Sequence, residues 1–159
     1  MIFHTGPTKP ALVLLCYAGT WLAICSSSFG APTREKITLT LRLLKHESKV
    51  LYENYKGNMA SGMSVNESLQ LPCFSLGQEA LTNISVIKAH LEKVKVLSKN
   101  AVDTTKVTKR LEDISCSDPP NVNISGPGDD VYAQKGFMLT VLKRFSDCMA
   151  ELQAKDSIC

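Results

Sequence analysis

No stretch limits the folds open to this chain as sharply as Lys135 to Leu152, KGFMLTVLKRFSDCMAEL. Its apolar residues are Met138, Val141, Leu142, Phe145, Cys148, Met149 and Leu152, and their steps of three and four place them on one face of an α-helix. Lys143, Arg144, Asp147 and Glu151 fall largely on the other face. Neither Gly nor Pro occurs between Phe137 and Leu152, so about four turns can run unbroken. A helix of this kind is stable only when its stripe is buried, which requires further helices upstream.

Three upstream segments supply them. Residues 34–56 repeat apolar or small side chains at Ile37, Leu41, Leu44, Ser48, Leu51 and Tyr55, with Leu39 and Leu43 widening the stripe. Thr33 is placed to cap the start, and Gly57 with Asn58 to stop it. Thr38 and Thr40 alternate with leucines and also fit a strand over 37–43, but the longer period favours helix. Residues 78–98 carry Leu81, Ile84, Ile87, Leu91, Val94 and Leu97 or Ser98 inward, with Glu92 in reach of Lys88 or Lys95. After a short break at 98–102, with Asn100 as the turn residue, a weaker threonine-rich helix covers 102–114. It points Val107, Leu111 and Ile114 inward, with Asp103 in its first turn.

The connections choose among bundles. Residues 57–77 contain Gly57, Gly62, Pro72 and Gly77, and residues 115–134 contain Pro119, Pro120, Gly126, Pro127 and Gly128. Both are long, whereas the middle break is short. A helix of ~20 residues measures ~30 Å, so a parallel neighbour needs a connection that climbs the whole bundle. Long, short, long therefore predicts an all-α, up-up-down-down four-helix bundle of the cytokine type with two long crossover loops, spanning 32–159.

Residues 11–25, ALVLLCYAGTWLAIC, form a short apolar run after Lys9 and before small residues. This pattern predicts a secretory signal peptide over 1–25, cut somewhere in 23–31. The run is shorter than the ~18–20 residues of a membrane span, so a free, secreted, extracellular protein is expected, without membrane insertion. Of six cysteines, Cys16 leaves with the leader, and Cys25 stays only if the cut follows Ala23. Cys73, Cys116, Cys148 and Cys159 remain, and four cysteines in an oxidising compartment allow three pairings. Sequons at Asn66, Asn83 and Asn123 agree with secretion.

The formal net charge of +3 drops by one with Lys9, which is no nucleic-acid signature. His4, His46 and His90 are the only histidines, and no nucleophile motif, metal-ligand spacing or phosphate loop accompanies them. The chain is not expected to be an enzyme or to hold a cofactor. A secreted, disulfide-stapled helical lipid carrier is the rival to a signalling bundle. It predicts a hollow apolar interior, and the long crossovers argue against it.

Specific strings go further. LPCFS at 71–75, NISVIKAHLEKVKVLS at 83–98, NISGP at 123–127 and FMLTVLKRFSDCMAEL at 137–152 occur in order behind the leader. Together they resemble the interleukin-31 family, short members of the interleukin-6-type cytokines, and most nearly its rodent members. The family usually carries a cysteine just before the lysine that opens the last helix; Gln134 stands there in this chain. With that departure, the resemblance implies a bridge between Cys73 and Cys148 and leaves Cys116 with Cys159. A loop of that size implies roughly 3–4 kcal/mol if unstrained.

The resemblance also implies a monomeric ligand that bridges an interleukin-31 receptor alpha subunit and an oncostatin-M receptor beta subunit. It implies Janus kinase and STAT signalling, and a link to itch and skin inflammation. One receptor site is implied on the outer faces of the first and third helices, at Arg42, His46, Lys49, Lys106, Lys109 and Arg110. That face is basic here, where related proteins can carry acids. The second site is implied at the start of the last helix, at Lys135 with Phe137 beside it. Tyr52 is a candidate anchor, and Tyr55 is expected in the core.

Overall fold

Four α-helices and no strands make up the described residues of the computed structural model, which are 33–59, 62–74, 80–115 and 120–152. The expected signal peptide, its cleavage point, Cys116 and Cys159 lie outside these residues. Helix α1, Arg34–Gly57, begins where the Thr33 hydroxyl accepts from the Lys36 amide at 3.4 Å. Helix α2 is Ala80–Leu97 and helix α3 is Thr105–Asp113. Helix α4, Val131–Glu151, starts four residues before the position expected from its apolar stripe. The reason is Asp130, whose carboxylate accepts from the Tyr132 and Ala133 amides at 3.3 and 2.9 Å and satisfies the first free donors.

Helix α3 is shorter than the 102–114 expected. Val102 and Asp103 belong to the turn, where the Val102 amide donates to Ser98 Oγ at 3.1 Å. The turn itself needs positive φ at Lys99 (52°) and Asn100 (64°), and Asn is among the residues that tolerate it best.

Cross-helix contacts give the directions. Tyr55 near the end of α1 donates to the Lys135 carbonyl near the start of α4, and Lys45 reaches the Ala150 carbonyl at its end, so these helices are antiparallel. Lys88 pairs with Glu112 and Lys95 bonds Thr105, so α2 and α3 are antiparallel. Glu47 pairs with Arg110, while Val50 and Leu51 share a groove with Asp103 and Lys106, so α1 and α3 are antiparallel as well. Helices α1 and α2 thus run one way and α3 and α4 the other. Each of the first two packs on both of the last two. The bundle is up-up-down-down, as the loop lengths predict.

Its axis is filled. Leu44, Ile84, Ile87, Leu91, Val94, Leu111, Ile114, Val141, Leu142 and Phe145 have no exposed surface. Each large apolar side chain buried this way stabilises by about 1.5–3 kcal/mol. A lipid carrier needs that space empty.

Two expectations on the helix surfaces are corrected. Leu39 does not widen the stripe of α1 but is 59% exposed. It lies two residues, about 200° of helical turn, from both Ile37 and Leu41. Lys88 takes Glu112 of α3 in place of Glu92, because the packed neighbour offers a nearer carboxylate.

The first crossover is fastened at its middle and again in its second half. The Asn66 amide donates to Thr140 Oγ of α4 at 2.8 Å, and Thr140 Oγ in turn donates to the Gly136 carbonyl at 2.7 Å. Phe74 is buried in the core at 2% exposure. Between them Cys73 is disulfide-bonded to Cys148 of α4, with Cα atoms 5.4 Å apart.

At the α2–α3 turn, Asp103 is held below the usual carboxylate range, chiefly by hydrogen bonds from the hydroxyl and amide of Thr105 and then by the nearby charges of Lys95 and Lys106. A depressed carboxylate adds stability that is complete above its unfolded pKa and is lost as pH falls through the folded value. Asp103→Asn is therefore expected to lower stability at neutral pH, with the gap to the parent closing on acidification. Thermal unfolding at pH 7 and pH 3 checks this; a gap that stays constant would count against it.

Candidate functional site

Two exposed surfaces on this frame share no lining residue. The first lies along the seam of α1 and α3. Arg42, His46 and Lys49, at steps of four and three, are exposed on α1, and Lys106 and Lys109 are exposed on α3. His46 and Lys106 come together at a groove of about 380 Å³ with Glu47, Val50, Leu51, Asp103 and Val107. Val50 is 41% exposed and gives this groove an apolar element among charges. Arg42 stands at a separate hollow with Arg34, Glu35, Thr38 and Leu39.

Arg110 behaves differently from its neighbours. Its Nε and a terminal guanidinium nitrogen donate to the two carboxylate oxygens of Glu47, at 2.7 and 3.0 Å. That two-point bond raises the guanidinium pKa above its ordinary value. The pair clasps α1 to α3, so Arg110 presents little free charge. The cationic surface is carried by Arg42, Lys49, Lys106 and Lys109, with His46 exposed among them.

The second surface is at the start of α4. Asp130 caps the helix, and its first residues Val131 and Tyr132 are 61% and 62% exposed. Lys135 is exposed one turn later, and its carbonyl accepts from Tyr55 Oη at 3.4 Å. Tyr55 is half-buried, and burial raises its phenol pKa. Tyr52 is also half-buried, with Lys56 Nζ 5.7 Å from the ring centroid. Phe137 is turned inward at 7% exposure and stacks on His90 of α2, with ring centroids 6.0 Å apart and planes 20° apart. It does not stand beside Lys135 at the surface.

Beside these residues opens a cleft of about 580 Å³. Asn66, Glu67 and Leu69 of the first crossover, Gly126 and Pro127 of the second, and Tyr132 and Gly136 of α4 line it. The second crossover lies close over α2, since a Cβ on Gly126 would run into the Lys93 side chain at Cε. Among the described residues no group of three or more His, Cys, Asp and Glu side chains is arranged to hold a metal ion, and no helix is long and apolar enough to cross a membrane.

Val131, Tyr132 and Glu47 were not singled out from sequence, and Leu39 was assigned to the buried stripe rather than to the surface. The capping pattern of Asp130 ahead of an apolar pair is the signal that finds the first two. Glu47 has no such signal, since its partner is 63 positions away.

The three sequons sit differently. Asn66 and Asn123 are exposed. Asn83 lies inside α2, where its Nδ2 donates to the Cys73 carbonyl at 3.1 Å.

The chain is similar to known proteins over nearly its whole length. The family model Interleukin 31 matches residues 28–155. Interleukin-31 of Mus musculus is 66% identical over 160 residues, covering 99% of this chain and 98% of that protein. Interleukin-31 of Homo sapiens is 31% identical over 157 residues, covering 94% and 90%. No solved structure matches. A filled up-up-down-down bundle and similarity of this extent lead to one conclusion: the chain belongs to the interleukin-31 family, and so to the cytokines rather than the enzymes.

Proposed function

We propose that the chain is secreted after loss of residues 1–25, with the cut in 23–31, and acts as a monomeric ligand that holds two different receptor chains together. The partners are an interleukin-31 receptor alpha subunit and an oncostatin-M receptor beta subunit, and their approach activates Janus kinases and STAT signalling. The biological setting is itch and skin inflammation. The observation that carries this reading is the presence of two exposed surfaces, without shared residues, on one cross-braced bundle. A bridging ligand requires both to be occupied at once.

The α1–α3 seam takes the alpha subunit through Arg42, His46, Lys49, Lys106 and Lys109, with Val50 as the apolar contact and Arg110 holding the seam closed through Glu47. The start of α4 takes the second subunit through Lys135 and the exposed Tyr132, whose large ring suits an anchor at an interface centre. Phe137 supports that surface from below. Asn66, Asn83 and Asn123 are proposed as N-glycosylation sites, with Asn83 the most engaged in internal bonding.

Surface binding of the folded protein to the two receptor ectodomains, singly and then in sequence, tests the reading. Lys135→Ala is expected to leave the first step intact and weaken the second about tenfold or more. Reversing Arg42, Lys49 and Lys106 to glutamate is expected to slow the first association, most strongly at low salt. Failure of a demonstrably folded sample to bind either ectodomain would overturn the proposal.

A further inference from the structure

We propose that a glycan on Asn66 is rooted on the wall of the cleft beside α4 and weakens recruitment of the second receptor. The inference rests on the two-receptor reading above. The three sequons differ in geometry.

At Asn66 the side-chain carbonyl oxygen accepts from the Ser68 amide at 3.0 Å and from the Ser68 hydroxyl at 2.6 Å. Both bonds fall on Oδ1 and leave Nδ2 without a protein partner among the described residues. The residue is exposed. Asn83 has its Nδ2 engaged with the Cys73 carbonyl, and Asn123 does not line the cleft.

The chemistry is that of any N-linked transfer. Nδ2 of Asn66 forms a bond to the anomeric carbon of a lipid-pyrophosphate-linked oligosaccharide. The carbon–oxygen bond to the pyrophosphate breaks, the lipid pyrophosphate leaves, and Nδ2 gives up one proton. The product is a bulky, polar chain on the amide.

Its root is not free to swing away from α4. The Asn66 backbone amide is bonded to Thr140 Oγ, a fully buried hydroxyl of α4, and its carbonyl accepts from the Leu69 amide at 3.3 Å. The cleft that Asn66 lines also has Tyr132 and Gly136 on its wall, the two residues that flank Lys135 by three positions and by one. A glycan starting here occupies the solvent that a receptor must displace to reach them. None of the residues lining the α1–α3 groove borders this cleft, so the first receptor step is left alone.

The test uses the protein secreted from mammalian cells as wild type, Asn66→Gln, Asn123→Gln and Ser68→Thr, with the wild-type chain refolded from bacteria as a form whose Asn66 is intact but bare. Peptide mass spectrometry reads occupancy, and sequential surface binding reads the two steps. The expected result is an occupied Asn66, a second step several-fold tighter in both Asn66→Gln and the bare chain, an unchanged first step, and wild-type behaviour in Ser68→Thr. An unoccupied Asn66, equal second steps with and without its glycan, or the same gain from Asn123→Gln overturns the proposal alone. If no form recruits the second receptor, the two-receptor reading falls and this inference falls with it.

Discussion

Replacing Cys73 with serine and Cys148 with alanine is expected to remove about 4 kcal/mol of stability. The bridge closes a loop over a sequence separation of 75 residues. Most of its effect is on the unfolded chain, which gains the conformations that closure forbids. A domain of this size has roughly 5–15 kcal/mol in total, so the loss is a large fraction. In urea, with a slope of about 2 kcal/mol per molar, the midpoint is expected to fall by roughly 2 M. The two sulfurs are not alike in surroundings: Cys148 is 5% exposed and faces the core, while Cys73 is on an exposed loop. Alanine at 148 avoids placing a hydroxyl among apolar neighbours. The crossover keeps its other fastenings, at Phe74 and at the Asn66–Thr140 bond, so the fold is expected to persist at low denaturant. Equal midpoints for the variant and the oxidised parent would mean that the bridge contributes nothing.

Phe137→Ala is expected to lower stability by about 3 kcal/mol, and to affect receptor binding only through the folded fraction. The ring is 7% exposed and stacked on His90, so truncation leaves a cavity between α4 and α2. A stacked pair adds a further ~0.5–1.5 kcal/mol to the area term. Lys135→Ala at an exposed position is expected to do the opposite, sparing stability while weakening the second receptor step. The two variants thus separate a supporting side chain from a contacting one. Chemical denaturation beside receptor binding, measured below each variant's melting temperature, makes the comparison. A folded Phe137→Ala protein with parental stability and no second-receptor binding would show that the ring itself touches the receptor.

The frame was readable from the residues because its signals are local. The stripes Ile37–Leu41–Leu44–Ser48 and Ile84–Ile87–Leu91–Val94 are buried as their spacing predicts. Thr33, Gly57 and Asn100 mark a start, a stop and a turn at the expected places. The misses have two causes, a local cap hidden by neighbouring loop formers and a contact that comes from a distant position. Val131 to Gln134 read as loop beside Pro127 and Gly128, although Asp130 caps a helix there. Thr140 falls outside the apolar stripe of α4, yet it is fully buried because the first crossover comes back to it from 74 positions away.

The same division runs through the surfaces. Residue order alone determined four amphipathic helices, their long-short-long connections and hence their directions, since period and loop length are properties of neighbouring residues. It also supplied the cations of α1 and α3 and the lysine near the start of α4. It did not distinguish Arg110, tied to Glu47, from Lys109, which stays exposed, nor Phe137, turned into the core, from Lys135, turned out of it. Those outcomes depend on which side chains of a different helix arrive within hydrogen-bond or van der Waals reach. Such meetings join positions 63 and 47 residues apart, and only packing of the whole bundle brings them about.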